Sequence, residues 1–378
     1  MTEQLPFVPS PRNRPSPYLD SARRSGMSGV TVYNRMVMPG IYEGMLEEYR
    51  ALVEDVTLWD VAVQRQVEIR GRDAFALTQY LCTRDVSRVA VGQCRYTFVC
   101  NYEGGILNDP VLLRPDGDRY WLSLADRDIL LWAQAIAAER ALDAVVREPD
   151  VSPIQVQGPR SKPLIADVFG EAIAGLPYYR CAWTVLDELE LLVSRTGWSG
   201  EFGYEVFLTD ATRASWLWNR LLEAGRPYNI KPAAPNQVRR IEGGILSYGT
   251  DMDDSVNPYE LGFGRIVDLD AEGDFVGRAA LAAVAERRPE RLMTGVRIGG
   301  PPRLGNPTHY PVYDGDARVG RLTSVAYSPR FGANLGFVLV EVAYAGTGTE
   351  LEVVIDGDRF PAVTEPFPFV ERITEPGS

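Results

Sequence analysis

Two glycine-rich turns, each attached to a run of strand-forming residues, constrain the fold of this chain more than any other feature. The first is the Tyr-Glu-Gly-Gly sequence at residues 102–105, which has alternating residues on both sides, and the second lies within residues 197–203. Because glycine readily adopts positive φ, the first turn predicts a β-hairpin. Each segment carries one carboxylate, Asp109 or Glu205, on an otherwise apolar or aromatic stretch. A buried carboxylate needs a partner or a chemical role.

The hairpin register brings Asp109 next to two aromatic residues. Pairing outward from the turn puts Phe98 opposite Asp109 and Tyr96 diagonally on the same face. The alternative is a plain turn at residues 108–110, because Asn, Asp and Pro all favour turns. The apolar run at residues 111–113 favours a strand that continues past this point. We therefore expect Asp109, Phe98 and Tyr96 to share one surface.

Composition and charge exclude several classes of protein. A chain of 378 residues can form two or three domains with a large core, and its 45% hydrophobic and 24% charged residues are typical of a globular protein. No apolar run approaches the roughly 18 residues of a membrane span, and the N-terminus lacks a signal-peptide core, so we expect a cytoplasmic protein without a membrane partner. The net charge of −12 argues against a nucleic-acid partner, because phosphate binding needs a positive field. No pattern predicts an oligomeric state.

The cysteine and histidine content argues against a metal site. His309 is the only histidine, and no two cysteines form a Cys-x-x-Cys pair. A serine or cysteine nucleophile activated by histidine is not expected either. We interpret the four cysteines as reduced thiols, mostly in core or strand positions: Cys82, Cys94, Cys100 and Cys181.

Local patterns divide the chain into an α+β region and a C-terminal β region. Residues 1–30 are rich in Pro, Ser and Arg without periodicity, which predicts an extended arm. From about residue 292, short alternating runs separated by Gly, Pro and Asp predict an all-β domain, either a small barrel or a jelly roll. Strands are predicted at residues 66–70, 95–101, 106–113 and 119–124, and helices at residues 129–146 and 211–224.

Seven motifs, in the right order, resemble signatures of the folate-dependent aminomethyltransferase family, whose founder is the T-protein of the glycine cleavage system. Each motif alone would be weak, but together they span nearly the whole chain. They lie at residues 92–97, 104–109, 195–205, 239–244, 257–262, 274–278 and 323–329. The resemblance implies an α+β fold of three domains around a central folate channel, with a C-terminal all-β domain.

On this resemblance we divide the chain into an N-terminal arm and three domains. The first domain is implied to bind folate and to be discontinuous in sequence, and the second is also α+β. The predicted boundaries are 1–30 for the arm, 31–50 with 152–285 for the first domain, 51–151 for the second and 286–378 for the C-terminal β domain.

Within the family, the chain is most similar to the branch that demethylates dimethylsulfoniopropionate, moving a methyl group from a sulfonium to tetrahydrofolate. Residues 58–69, 108–114 and 121–134 carry this similarity. Residues 61–66 differ from the run that T-proteins usually have. Four residues stand where this branch has His, Lys, Trp and Tyr, respectively: Arg35, Arg95, Arg180 and Phe207. Because several of them lie where the methyl donor should bind, the resemblance supports the fold and the cofactor better than the donor.

The resemblance also assigns residues to tetrahydrofolate, the implied cofactor. A pterin ring presents adjacent N–H donors that a carboxylate matches bidentately, and Glu205 is the matching glutamate. The alternative is a rim glutamate that faces solvent. Tyr96 and Tyr204 are implied cofactor contacts, with Tyr96 against the pterin. Arg240 would bind the glutamyl or benzoyl end of folate, whereas we expect Arg239 on a solvated helix face.

Asp109 matches the catalytic aspartate of the family, which implies a place close to N5 of the folate. As a methyl group arrives, N5 becomes positive, and a fixed anion stabilises that charge and can accept or relay the released proton. The remaining catalysis would be alignment of the donor, the methyl group and N5. Asp109 is therefore the predicted catalytic residue, and no metal is expected.

The methyl donor is expected where aromatic side chains meet charged ones. Aromatic rings attract a methylated onium by cation–π interactions, at roughly 0.5 to 2 kcal/mol each. The candidate rings are Tyr33, Trp198 and Tyr179, with Trp59 more typical of the core. Arg95 would clamp a donor carboxylate, and Arg180 and Arg35 would make the pocket favourable to anions.

These features predict a tetrahydrofolate-dependent methyltransferase, or demethylase, acting on a small carboxylate-bearing methyl donor. One alternative is a glycine cleavage aminomethyltransferase, which would need to dock a lipoyl carrier. A second is one-carbon transfer from folate to an acceptor. A third is a folate-binding protein without activity, as in the iron–sulfur assembly relatives of the family. Those relatives typically carry a Lys-Gly-Cys motif that is absent here, and the presence of Asp109 favours catalysis.

Overall fold

The computed structural model describes residues 10–371 and residue 373 of the chain. Its α-helices are α1 Leu19–Arg24, α2 Met45–Glu54, α3 Ala74–Leu81, α4 Leu130–Glu139, α5 Ser161–Phe169, α6 Glu171–Ala174, α7 Ala214–Gly225, α8 Gln237–Glu242 and α9 Arg278–Arg287. Its strands are β1 Arg14–Pro15, β2 Gly29–Tyr33, β3 Met36–Ile41, β4 Val56–Asp60, β5 Gln66–Arg70, β6 Gln93–Tyr96, β7 Val99–Cys100, β8 Ile106–Asn108, β9 Val111–Asp116, β10 Arg119–Ser123, β11 Val145–Arg147, β12 Ser152–Gln157, β13 Cys181–Leu186, β14 Leu189–Ser194, β15 Gly203–Leu208, β16 Ile230–Pro232, β17 Arg291–Ile298, β18 Tyr310–Asp314, β19 Ala317–Ser328, β20 Ala333–Glu341, β21 Glu350–Ile355 and β22 Asp358–Glu365. Among the described residues, no helix is both long and apolar enough to cross a membrane.

A six-stranded sheet, ordered β13-β14-β15-β12-β4-β16, organises one part of the molecule. Every residue of β12 and β15 is buried, because both faces of this sheet are covered. On one face, Tyr204 and Val206 pack in the core that includes residues of α5 and α7. On the other face, Phe207 packs against Trp121 of β10. Since successive strand residues alternate between faces, Glu205 points to the same side as Phe207.

A five-stranded sheet, ordered β11-β5-β10-β9-β6, shares a core with α3 and α4. The hairpin continues from its edge, with Tyr96 paired to Val111 and Val99 to Asn108 in the same one-to-one register. The ladder breaks at residues 109–110 between these pairs. The hairpin prediction is therefore confirmed, and the turn tendency of Asn-Asp-Pro accounts for the interruption between β8 and β9.

The C-terminal region is a closed barrel with the strand order β17-β20-β19-β18-β21-β22. The pairing of β22 with β17 closes it, so the sheet has no free edge strand. Alternating apolar residues, such as Val296, Val312 and Val338, fill its interior. The prediction of a C-terminal all-β domain is confirmed, in the form of a barrel.

The N-terminal segment differs from the extended arm predicted over residues 1–30, of which residues 1–9 lie outside the described part. β1 pairs with β3, and α1 is helical rather than extended. The rings of Tyr18 and Trp218 lie 6.2 Å apart, and the Trp218 indole donates to the Ser25 hydroxyl over 3.0 Å. Tertiary contacts with α7 therefore order a stretch whose local composition does not specify structure.

Two other elements differ from the sequence prediction. α4 ends at Glu139 instead of residue 146, because Ala141 has a φ of 50° and the following valines form β11 against the edge of β5. β4 lies beside β12 in the six-stranded sheet, although the predicted boundary at residue 51 groups it with the second domain. The domain boundaries as such stay predictions.

All four cysteines are buried and carry free thiols. This agrees with their interpretation as reduced core or strand residues. Burial raises the pKa of Cys82 to about 12, so its thiol stays protonated at neutral pH and is a poor nucleophile.

Candidate active site

One cavity of about 820 Å³ brings most of the predicted site residues together. Its walls come from β6, β12 and β15, and from the loops at residues 243–246 and 261–266. The predicted residues that line it are Tyr33, Arg95, Tyr96, Asp109, Tyr179, Trp198 and Glu205. Residues that are remote in sequence thus meet on one surface.

The two carboxylate oxygens of Asp109 differ in their hydrogen bonding within the described part of the chain. The Tyr96 hydroxyl donates to Oδ2 over 3.0 Å, while Oδ1 is buried and has no hydrogen-bond partner among the described residues. Burial raises the pKa of Asp109 to about 7, the Tyr96 hydrogen bond opposes this rise, and the charge of Asp251 adds to it. Asp109 can therefore exchange a proton near neutral pH.

Glu205 is held by two polar neighbours that sequence analysis did not identify. Gln155 Nε2 donates to Oε1 over 2.7 Å, and the Thr196 hydroxyl donates to Oε2. Burial raises the pKa of Glu205, against the lowering effect of these two hydrogen bonds. Glu205 is only 5% exposed, so the alternative of a solvent-facing rim glutamate is wrong. Gln155 Oε1 is buried and has no hydrogen-bond partner among the residues that the structure describes. The signal for Gln155 in the sequence was its position as the one polar residue of the otherwise apolar run 153–156.

Three arginines line one side of the cavity, of which sequence analysis identified only Arg95. The pKa of Arg84 is lowered by burial and by the nearby charges of Arg95 and Arg265, against the opposing effect of Asp268. Arg84 Nε is buried and has no hydrogen-bond partner in the described part of the chain. No salt bridge joins these three arginines to a carboxylate among the described residues. Nothing local in the sequence signals Arg84 or Arg265, because only the fold brings them to Arg95.

Tyr33 lies at the end of β2, beside a turn that is tied to the five-stranded sheet. Burial raises the pKa of Tyr33, and the charges of Asp109 and Asp126 raise it further. The backbone N–H of Asn34 donates to Asp126 Oδ1 over 2.6 Å, which holds the turn in place. Arg35, also in this turn, is exposed and does not line the cavity, which corrects its predicted place near the donor.

Arg240 lies behind the cavity wall rather than in it. Its guanidinium pairs with Asp251 over 2.7 Å and donates to the Ser324 hydroxyl of β19 over 2.7 Å, and the residue is 1% exposed. Its Cζ atom is 5.5 Å from the centre of the Trp198 ring, which itself lines the cavity. In this structure Arg240 supports Trp198 and joins α8 to the barrel, and its contact with folate stays a prediction. Trp59 is fully buried, as expected of a core residue.

Three other predicted positions also change. Tyr204 is fully buried on the opposite face of β15 from Glu205, where its hydroxyl donates to the Ala174 carbonyl, so it does not line the cavity. Arg180 lies at the start of β13 and is not among the lining residues. Arg239 is fully buried and pairs with Glu201 over 2.6 Å, instead of facing solvent.

Comparisons with known proteins agree with this architecture. Residues 19–271 match the GCVT N-terminal domain family, and residues 291–371 match the glycine cleavage T-protein C-terminal barrel domain. The chain is 39% identical to the dimethylsulfoniopropionate demethylase of Ruegeria pomeroyi over 96% of this chain and 99% of that protein. It is 34% identical to the aminomethyltransferase of Streptomyces avermitilis, over 94% of this chain and 97% of that protein.

A solved structure shows the same fold. The glycine cleavage system aminomethyltransferase T of Bartonella henselae superimposes with a TM-score of 0.86, at 23% identity, over 96% of this chain and 99% of that one. The chain therefore belongs to the glycine cleavage T-protein family of tetrahydrofolate-dependent enzymes, as the sequence motifs predicted. Its α+β fold with a C-terminal barrel is that of the family.

Proposed function

We propose that this protein transfers a methyl group from a small, carboxylate-bearing donor to N5 of tetrahydrofolate, and that a sulfonium such as dimethylsulfoniopropionate is the foremost candidate donor. The observation that carries the proposal is the meeting of Asp109 and Glu205 in one cavity. The 39% identity to a demethylase over nearly the whole chain supports the choice of donor.

The residues of the cavity fit a folate. Gln155 is hydrogen-bonded to Glu205 through Nε2, and its Oε1 is a second acceptor that has no partner among the described residues. Such a pair suits the N–H donors on the edge of a pterin ring. Tyr96 supplies an aromatic surface in the same cavity, and its ring packs edge-on against Phe263 with 5.8 Å between the ring centres. When bound, tetrahydrofolate supplies N5 as the methyl acceptor.

Asp109 is proposed to stabilise the positive charge that develops on nitrogen during methyl transfer and to accept the proton that the nitrogen then loses. Nitrogen gains a positive charge as it takes the methyl group, and a carboxylate in place beforehand stabilises that charge without reorganisation. The carboxylate then accepts the proton that the nitrogen loses, which its pKa of about 7 permits. The Tyr96 hydrogen bond keeps Asp109 oriented for both steps.

The arginine side of the cavity is proposed to bind the carboxylate of the donor. Arg95 lines the same cavity as Asp109, so a carboxylate bound to Arg95 would hold the donor in the cavity where methyl transfer is proposed. Trp198, Tyr33 and Tyr179 line the same cavity and are available to surround the methylated onium. Catalysis would then come from alignment as well as from charge stabilisation.

A glycine cleavage type of aminomethyl transfer is the second candidate. It is favoured by the full-length similarity to aminomethyltransferases at 31–34% identity. The two candidates differ in the chemistry at the donor. Demethylation of a sulfonium breaks one bond, from the methyl carbon to sulfur, and leaves a thioether. Aminomethyl transfer breaks two bonds of the transferred carbon, one to nitrogen, which leaves as ammonia, and one to the sulfur of the lipoyl carrier, which is left as a thiol.

A donor screen distinguishes them. The purified protein is mixed with tetrahydrofolate and, in turn, with dimethylsulfoniopropionate, dimethylglycine or an aminomethylated lipoyl carrier. We expect 5-methyltetrahydrofolate and the demethylated thioether from the first donor, detected by mass spectrometry. Methylenetetrahydrofolate and ammonia from the lipoyl carrier, with no product from the sulfonium, would support the second candidate instead.

A further inference from the structure

A second cavity, of about 370 Å³, adjoins the first. The wall between the two consists of residues that line both: Tyr33, Gln64, Trp198 and Tyr248. The pKa of Tyr33 is raised by carboxylates of both cavities, Asp109 in the first and Asp126 in the second. The second cavity therefore lies directly beside the proposed reaction site.

The two cavities differ in charge. Arg84, Arg95 and Arg265 line the first, whereas the described residues that line the second include no arginine or lysine. Two carboxylates, Glu48 and Asp126, line the second cavity. Its apolar lining includes flexible and branched side chains: Met38, Met45, Val61 and Val63. The second cavity thus presents apolar surface, aromatic rings and negative charge.

The two carboxylates are not equivalent. Glu48 is 5% exposed and accepts hydrogen bonds from the backbone N–H groups of Tyr42 at 2.8 Å and Ala234 at 2.7 Å, so it holds the fold together. Asp126 is exposed and accepts from the Asn34 N–H through Oδ1. The charge available to a ligand in this cavity is therefore that of Asp126.

We propose that this second cavity is a separate access port through which a methylated cation, the onium end of the donor, reaches the site. The inference rests on the proposed function. Apolar surface with aromatic rings and one carboxylate is the combination that binds methylated onium groups. A polyanionic folate would be repelled by Asp126, and the described residues that line this cavity include no arginine or lysine to offset that charge. Its volume, about 370 Å³, suits a small molecule.

Blocking the port provides the first test. Thr31 is exposed and lines the second cavity but not the first, so Thr31→Trp narrows only the port. We expect kcat/KM for dimethylsulfoniopropionate to fall at least tenfold, while the Kd of tetrahydrofolate stays within twofold. Val185→Trp is the matched control, because Val185 is 66% exposed on β13 and lines neither cavity. An unchanged kcat/KM in the Thr31 variant, or an equal loss of folate affinity, would overturn the proposal.

The second test separates charge from shape and needs no turnover. Choline and 3,3-dimethylbutan-1-ol have the same shape, but only choline is a cation. We expect calorimetry to show that choline binds at least tenfold more tightly than the alcohol. Asp126→Asn, which keeps the acceptor for Asn34, should reduce this preference about fivefold. Equal binding of the two probes to the unmodified protein, or an unchanged preference in the variant, would contradict a cation port.

The outcomes also separate this inference from the proposed function. A protein that binds choline at Asp126 but neither binds tetrahydrofolate nor transfers a methyl group would refute the proposed function and leave a cation site. A protein that demethylates the sulfonium equally well with the port blocked would keep the function and lose the port.

Discussion

Burial gives the two carboxyl groups of the main cavity different properties. Asp109 has a pKa of about 7 with one oxygen lacking a partner among the described residues, whereas both oxygens of Glu205 accept hydrogen bonds from neighbouring side chains. A group that titrates near neutral pH suits proton transfer. A carboxylate fixed by two donors suits recognition of a ligand edge. Environment thus separates the roles of two acidic residues.

Removing the charge of Asp109 tests its proposed role. We expect Asp109→Asn to lower the single-turnover rate of methyl transfer a hundredfold or more, the usual effect of losing one preorganised electrostatic group. Folate affinity should change little, because Asn keeps shape and polarity. Asp116→Asn on β9 is the control and should react like the unmodified protein. Unimpaired transfer in the Asp109 variant would mean that alignment alone lowers the barrier.

Glu205 is tested by folate affinity. We expect Glu205→Ala to weaken tetrahydrofolate binding by about 2 to 5 kcal/mol, because it leaves buried donors of the ligand without a partner. Calorimetry measures the change, and Glu190→Ala, at an exposed position on β14 of the same sheet, is the control. Undiminished affinity in a folded Glu205 variant would remove this residue from the folate site.

At the scale of elements, turns and buried ion pairs position the site. Gly104 has a φ of 86° in the hairpin turn, and a side chain on Gly105 would come within 2.2 Å of the Asp254 carbonyl, so both positions require glycine. At the other side of the site, the buried pair of Arg240 and Asp251 joins α8 to the loop that follows it, and Arg240 also donates to Ser324 of β19. Arg240 also packs against Trp198, so this ion pair supports one wall of the cavity.

The Arg240 pair is therefore expected to affect stability more than binding. Arg240→Met leaves the Asp251 carboxylate buried without its partner, which should lower the free energy of unfolding by about 3 to 5 kcal/mol. Chemical denaturation measures this change, with Arg50→Met at an exposed position on α2 as the control. A variant of normal stability whose folate affinity falls more than tenfold would instead restore the direct contact predicted from sequence.

At the scale of the whole molecule, the fold buries several ionisable groups, some of them in the lining of the main cavity, against the cost of removing them from water. Burial raises the pKa of Asp60 to about 6 and that of Asp109 to about 7, and it also raises the pKa of Glu205. Each group binds its proton more tightly in the folded state than in the unfolded chain. The stability that these groups contribute is therefore lost as the pH rises through their folded pKa values.

Asp109 makes this pH dependence measurable. Its ordinary pKa is 3.8 and its folded pKa is about 7, so its contribution is complete below pH 4 and declines up to about pH 7. Asp109→Asn does not titrate. We expect the variant to gain about 1 to 3 kcal/mol in unfolding free energy relative to the unmodified protein between pH 4 and pH 8. A difference that stays constant with pH would mean that Asp109 ionises normally in the folded protein.

The sequence by itself determined the features that depend on local residue patterns, such as turns, strand alternation and the family motifs. The glycines at 104 and 105 specified the hairpin, and its register put Tyr96 beside Asp109, where their hydrogen bond is observed. The alternation after residue 292 specified the β domain, which closes as a barrel. Strand alternation in β15 likewise placed Glu205 with Phe207. Propensity and period decide such features within a few residues.

Tertiary structure alone decided which charged side chains face the cavity. Arg239 and Arg240 are both buried ion-pair partners. Arg239 pairs with Glu201 of a separate loop, while Arg240 pairs with Asp251 of the loop after α8 and also donates to Ser324 of the barrel. Arg84 reaches the cavity beside Arg95 only through the packing of the loop after α3 near β6. A short-range pattern cannot specify contacts between residues far apart in sequence, and the direction of a long side chain depends on those contacts.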